Sequence, residues 1–149
     1  MIVDLLRNDL AMVCEPGTVE VPELMDVESY ETVHQLVSTV RGRLRPGIGT
    51  VDALRTLFPA GSMTGAPKLR TMSIIDGVEA TPRGAYAGAF GWISASGPAD
   101  LGVVIRSLMT AGDGRWWLGT GGGITVRSDV EEEYAESCWK AERLRGVLG

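Results

Sequence analysis

The chain has 149 residues, 44% hydrophobic and 22% charged, a balance that supports a folded core and excludes wholesale disorder. Fourteen Lys and Arg against nineteen Asp and Glu give a net charge of −5, so a bulk basic footprint for nucleic acid is missing. No apolar run approaches the roughly 18 residues of a membrane span, because Asp4, Arg7 and Asp9 break the opening stretch.

That opening also has the wrong order for a signal peptide, with acids before any basic segment and no apolar stretch after them. Cys14 and Cys138 lie far apart and form no CxxC unit. A reduced, cytoplasmic chain is therefore expected.

In chain order, Glu28 to Leu44 is frequent in Tyr, Thr and Val and free of proline, which predicts one long strand, straight or bent. Ile48 to Phe58 reads as a short helix with Val51, Leu54, Leu57 and Phe58 as its apolar stripe. Pro59 ends it, since proline disfavours α geometry in the residue before it. The loop Ala60 to Ala66 leads into a second helix, about Pro67 to Val78. Pro67 suits its first turn, where a missing N–H costs nothing, and Leu69, Met72, Ile74 and Ile75 supply the buried face.

Tyr86 to Ser94 and Leu101 to Thr110 read as strands joined around Gly97-Pro98. Arg115 to Leu118 and Ile124 to Val126 read as two more, separated by a glycine run. From Asp129 the period changes from two to 3.6, and a last helix runs to about Leu148. Acids crowd its first turns and bases its later ones, as the helix dipole prefers. The order of elements indicates an α+β architecture in a single domain, with no internal repeat.

The last helix carries most chemical content. Tyr134, Cys138, Ala141, Leu144 and Leu148 form its apolar stripe, and Glu133, Glu136 and Lys140 sit beside it. Two carboxylates three apart at the edge of a core need a compensating cation, and Mg²⁺ commonly takes one or two carboxylates and keeps waters. A solvated acidic helix start with a routine Glu-Lys pair accounts for the same spacing. Gly121, Gly122 and Gly123 can expose N–H groups to an anion, or simply make a tight turn. They match no dinucleotide fingerprint.

Gly61 to Lys68 fails the phosphate-loop pattern, because Ala66 stands at the glycine position and Leu69 follows the lysine. It remains either an anion site at a helix start or an ordinary cap made by Thr64 or Ser62. His34, the only histidine, shares a strand face with Tyr30, Thr32, Leu36 and Ser38. It suits general acid–base work or a structural role. Arg106 lies inside the apolar stretch Leu101 to Met109, where a buried guanidinium needs a carboxylate from the protein or a ligand. Zinc is poorly supported, since Cys14, His34 and Cys138 have no ligand spacing.

Several runs together resemble the chorismate-utilising enzymes: Ile2 to Asp9, Glu28 to Ser38, Phe58 to Lys68, Arg83 to Gly91 and Ile105-Arg106. Gly121 to Ile124, Ser128-Asp129 and the Glu133, Glu136, Lys140 spacing complete the likeness. It spans essentially the whole chain, in order, and corresponds to the C-terminal half or slightly more of the family's catalytic domain. The resemblance implies large antiparallel sheets with helices around a central cleft, and residues 1–149 as a partial chorismate-binding domain.

It further implies Mg²⁺ at Glu133 and Glu136. Tyr86, Arg106 and the backbone of Gly121 to Gly123 would hold the enolpyruvyl carboxylate, and Lys140 would lie near the ring carboxylate. His34 would stand beside the reacting ring, and Thr64 would belong to the loop closing the pocket. The Thr32 to Val37 run favours the branch that aminates chorismate at C4, with ammonia from a glutamine amidotransferase, over the branch acting at C2. A non-catalytic chorismate-binding or structural fragment is the third reading. The resemblance places a further magnesium glutamate and a catalytic lysine upstream of Met1, so the chain alone is expected to be inactive. Ala11, Met12 and Val130 depart from the family pattern.

Overall fold

The computed structural model describes residues 1–31 and 33–148. Contacts divide them into two compact units, Met1–Met72 with Ser94–Pro98, and Ser73–Ile93 with the chain from Ala99 onward.

The first unit opens with helix α1 (Ile2–Ala11), whose first turn is tied by Asp4 to Arg7 and to the terminal amine, both at 3.4 Å. Strands β1 (Glu20–Ser29) and β2 (His34–Arg41) pair antiparallel, with Val27 opposite Leu36 and Ser29 opposite His34. The ladder shifts register on either side of Glu23, where Met25 takes φ 55° and its N–H donates to Ser38 Oγ at 2.9 Å. A bulge of this kind bends the ribbon.

The single strand expected over Glu28 to Leu44 is therefore the end of β1, a hairpin turn and then β2. The Tyr30 N–H bonds to the Val33 carbonyl at 2.9 Å, turning the chain between the two strands. Thr32, expected on the His34 face, lies outside the described residues. Helix α2 (Thr50–Leu57) and the single turn α3 (Gly61–Thr64) complete this unit together with the start of α4 (Lys68–Val78). Ala53, not Val51, is the buried residue of α2.

Helix α4 contradicts the expected inner face. Leu69 is 84% exposed, Ile74 and Met72 face solvent, and α4 buries no residue fully. Pro67 precedes the helix, its carbonyl accepting the Thr71 N–H at 3.0 Å.

In the second unit β3 (Ala89–Ile93) and β4 (Ala99–Val103) form a hairpin in continuous register. β5 (Leu108–Met109) and β6 (Trp117–Leu118) form a short second ribbon. Helix α5 (Val130–Arg145) and a 3₁₀ turn (Gly146–Leu148) follow. The fold is α+β, and each sheet among the described residues has two strands.

Two expectations fail here. Ile124 to Val126 is not a strand. Ser128 Oγ accepts the Thr125 N–H at 2.9 Å and the Ser128 N–H reaches the Thr125 carbonyl at 3.1 Å, so hydroxyl chemistry makes a turn. The stretch Leu101 to Thr110 is interrupted at residues 104–107, with Arg106 at φ 48°.

The stripe expected on α5 holds in part. Ala141 is buried and Leu144 half-buried as expected, whereas Tyr134, Cys138 and Leu148 are exposed and Glu133, Ser137 and Lys140 are half-buried in their place.

Candidate functional site

Asp129 fixes where α5 begins. Its carboxylate accepts the Glu131 and Glu132 N–H groups, each at 3.0 Å, satisfying two donors the helix cannot. With the start fixed, Glu133 and Glu136 follow one turn apart on neighbouring positions. Ser128 Oγ donates to Glu133 Oε1 at 2.6 Å, so the first carboxylate is held from the turn before the helix.

Residues 119–123 lie alongside this helix. Thr120 Oγ1 donates to the Ser137 carbonyl at 2.8 Å. Lys140 Nζ pairs with Glu136 Oε1 at 2.5 Å and donates to the Gly121 carbonyl at 3.3 Å. Close approach is tight at two positions, and only Gly119 faces a rigid ring. A Cβ at Gly119 would overlap the Tyr86 ring, and one at Gly122 would stand 2.8 Å from Glu133 Oε2. A Cβ at Gly121 would lie 3.4 Å from the Tyr86 hydroxyl.

Tyr86 is itself held from behind. The Arg83 guanidinium lies over its ring, 5.9 Å from the centroid. Arg83 Nε and Nη2 in turn donate to the two oxygens of Glu79, at 2.8 and 2.6 Å. That bidentate bond holds the Glu79 carboxyl below the usual carboxylate range, against a smaller opposing effect of burial. It also pushes the Arg83 guanidinium further up. The sequence spacing Glu79-x-x-x-Arg83 carried this signal, as an i, i+4 pair, and it went unread.

The second unit thus brings Tyr86, Gly121, Gly122, Glu133, Glu136 and Lys140 together, with Gly123 continuing the same run. Carboxylate oxygens, an ammonium and backbone groups converge there. They offer a cation oxygen ligands and an anion a positive contact. Among the described residues no three His, Cys, Asp or Glu side chains group as a metal cage.

Arg106 differs from its expectation. It is exposed, stands between β4 and β5 rather than inside a strand, and makes no ion pair with another described residue. His34 and Thr64 belong to the first unit. His34 is exposed at the hairpin end, its Nδ1 2.9 Å from Ser29 Oγ. Thr64 is buried and caps no helix start, because its hydroxyl donates to the Gly65 carbonyl at 3.1 Å.

Residues 1–146 match the family described as chorismate binding enzyme. The chain is 53% identical over 148 residues to a probable chloroplastic aminodeoxychorismate synthase of Oryza sativa subsp. japonica, covering 99% of this chain and 16% of that protein. It is 48% identical over 144 residues to aminodeoxychorismate synthase component 1 of Klebsiella aerogenes, covering 97% and 32%. Among solved structures, anthranilate synthase component I from Streptococcus pneumoniae superposes with a TM-score of 0.78 at 39% identity. That match covers 95% of this chain and 32% of the other. The chain spans about a third or less of the length of these relatives. Matched over nearly all its residues, the chain belongs to the chorismate binding enzyme family.

Proposed function

We propose that the chain supplies the chorismate-holding part of an aminodeoxychorismate synthase. The convergence of Tyr86, Gly121, Gly122, Glu133, Glu136 and Lys140 in one unit carries this reading. Relatives bearing that name at 46–53% identity support the C4 branch. Because the chain spans 15–32% of their length, the complete activity is part of the proposal. So are the glutamine amidotransferase partner, the cytoplasmic location and the larger sheets around a cleft. No helix among the described residues is long and apolar enough to cross a membrane.

Chorismate is a dicarboxylate, and a net-acidic chain must gather positive charge locally to hold it. Lys140, held at the Gly121 carbonyl, would face the ring carboxylate. Tyr86 and the backbone of Gly121 to Gly123 would contact the enolpyruvyl carboxylate, with Arg106 adding a two-pronged bond. Arg106 is solvent-facing, and no carboxylate among the described residues pairs with it.

Glu133 and Glu136 fit Mg²⁺, which takes one or two protein carboxylates and completes its shell with water and substrate oxygens. When bound, the ion would offset the charge of the substrate carboxylate and polarise it. For amination at C4, a C–N bond forms to ammonia while the C–O bond breaks and the hydroxyl leaves as water. His34 would hold the exchangeable proton for that departure, and the Thr64 loop would exclude bulk water.

Grafting this chain in place of the matching 144 residues of the Klebsiella aerogenes protein tests the reading. With chorismate, Mg²⁺ and ammonium, 4-amino-4-deoxychorismate should form. Anthranilate as product would assign the chain to the C2 branch, to which the 48% identical Methanothermobacter marburgensis relative belongs by name. A folded graft that makes neither would leave a non-catalytic fragment.

A further inference from the structure

In the first unit, Asp9 at the end of α1 is nearly buried, with its side chain 7% exposed. Its Oδ1 lies 3.0 Å from Lys68 Nζ, the first residue of α4. Its Oδ2 accepts the Gly61 N–H at 2.9 Å. The ammonium is fully used as well, donating to the Leu57 carbonyl at 2.9 Å and the Thr56 carbonyl at 3.3 Å. Lys68 therefore satisfies carbonyls left open at the end of α2, a role a neutral side chain of its length could not fill as well.

One ion pair thus ties four chain segments. They are the end of α1, the end of α2, the start of α3 and the start of α4. Between the anchored Gly61 and Lys68 lies the short turn that carries Thr64. At its far end the Gly65 carbonyl accepts from Thr64 Oγ1 at 3.1 Å and Thr71 Oγ1 at 3.4 Å, with Gly65 at φ 82°. Gly61 leaves no room for adjustment, because a Cβ there would stand 2.7 Å from Asp9 Oδ2.

A buried pair of this kind adds little net stability over an apolar replacement, because desolvation offsets the attraction. Its geometry, in contrast, is demanding. We infer that Asp9 and Lys68 are positioning residues whose ion pair sets the conformation of the Gly61–Gly65 turn. For the chorismate reaction this rests on the reading above, in which that turn closes the pocket.

Amide hydrogen exchange on the 149-residue chain tests the pair without any substrate. Asp9→Asn should speed exchange at the Gly61, Thr64 and Gly65 amides by at least about tenfold, while the β1–β2 amides change less than about twofold. Lys68→Met should do the same. The double variant Asp9→Asn with Lys68→Gln, which leaves no lone buried charge, should keep the chain folded yet leave the turn mobile. That distinguishes positioning from general destabilisation.

In the graft, Asp9→Asn should lower kcat while KM for chorismate moves less. Unchanged exchange at Gly61 and Thr64, or equal acceleration through the whole unit in both the single and double variants, would overturn the inference. Changed exchange with unchanged kcat would confine the pair to the fold and remove its bearing on the reaction. An unaltered graft that turns over no chorismate would fail the functional reading alone, since exchange still decides the pair.

Discussion

At the scale of single residues, Arg106 separates stability from ligand binding. Its backbone sits at φ 48°, a region that costs an L-residue about 1–2 kcal/mol, and its side chain makes no ion pair among the described residues. Neither fact suits a residue kept for the fold. Arg106→Gly relieves the backbone but adds unfolded-chain entropy, so these effects largely offset. Its melting temperature should stay within a few degrees of the parent by calorimetry. Arg106→Lys keeps the charge and loses the fork, and in the graft should weaken chorismate binding by about 1–3 kcal/mol. Unchanged chorismate affinity in a titration of both variants would remove Arg106 from the site. The residue type at this position was legible in the sequence, and its setting was not. The apolar run on either side of residues 104–107 reads as one continuous strand, whereas the real interruption is a backbone turn made by a non-glycine residue. The glycine run reads in the sequence either as an anion site or as a tight turn, and the close approach at Gly119 and Gly122 is not part of that pattern. What approaches them, the Tyr86 ring and Glu133, is a matter of tertiary placement.

At the scale of elements, α5 shows how far local pattern reaches. Asp129 followed by acids marked the helix start, and the cap bonds stand where that pattern put them. Apolar periodicity finds Ala141 and Leu144 on the inner side but misplaces Tyr134 and Cys138, because it assumes a hydrophobic partner. Here the partner is a glycine run bonded to Ser137 and Lys140, so the half-polar side turns inward and Tyr134 outward. Helix α4 likewise leaves Leu69, Met72 and Ile74 exposed, with Ile75 half-buried, and β1 escapes the period-two pattern because Pro22 and many acids hide its alternation. The stretch from Glu79 to Tyr86 carries a prediction of its own. Hydrogen bonding to Arg83 lowers the Glu79 pKa in the folded chain, so this pair stabilises above the ordinary carboxylate range. That contribution is lost as pH falls through the depressed folded value. Arg83 stays charged throughout. Glu79→Gln should therefore melt below the parent at neutral pH, and the gap should close on acidification through the carboxylate range. Melting curves at neutral and strongly acid pH check this, and a gap that persists in acid would show that the pair acts by packing alone.

At the scale of the whole molecule, the buried apolar residues are few and small: Val13, Cys14, Ala53, Ala87 and Ala141. Leu69, Phe90, Val130 and Trp139 all face solvent, more than 70% exposed. Apolar exposure on that scale marks surfaces meant for contact, and the chain covers 32% of the Streptococcus pneumoniae structure it resembles. Composition gave no warning, because 44% hydrophobic residues describe what is available for burial and not what is buried. The state of the two helix carboxylates bears on metal binding. Glu133 is engaged by Ser128 and Glu136 by Lys140, and no third ligand side chain stands with them among the described residues. Mg²⁺ gives up water reluctantly, and two occupied carboxylates without a substrate oxygen make a weak site. The 149-residue chain should therefore bind Mg²⁺ poorly in calorimetric titration and convert no chorismate. The graft should gain both together, since it adds the rest of the relative's fold and lets chorismate's carboxylate complete the shell. Glu136→Gln in the graft should abolish Mg²⁺-dependent turnover while the circular dichroism of the helices stays unchanged. Tight Mg²⁺ binding by the chain alone would show that its two carboxylates suffice. Turnover in the graft that ignores Glu136 would instead leave Lys140 as the partner that residue serves.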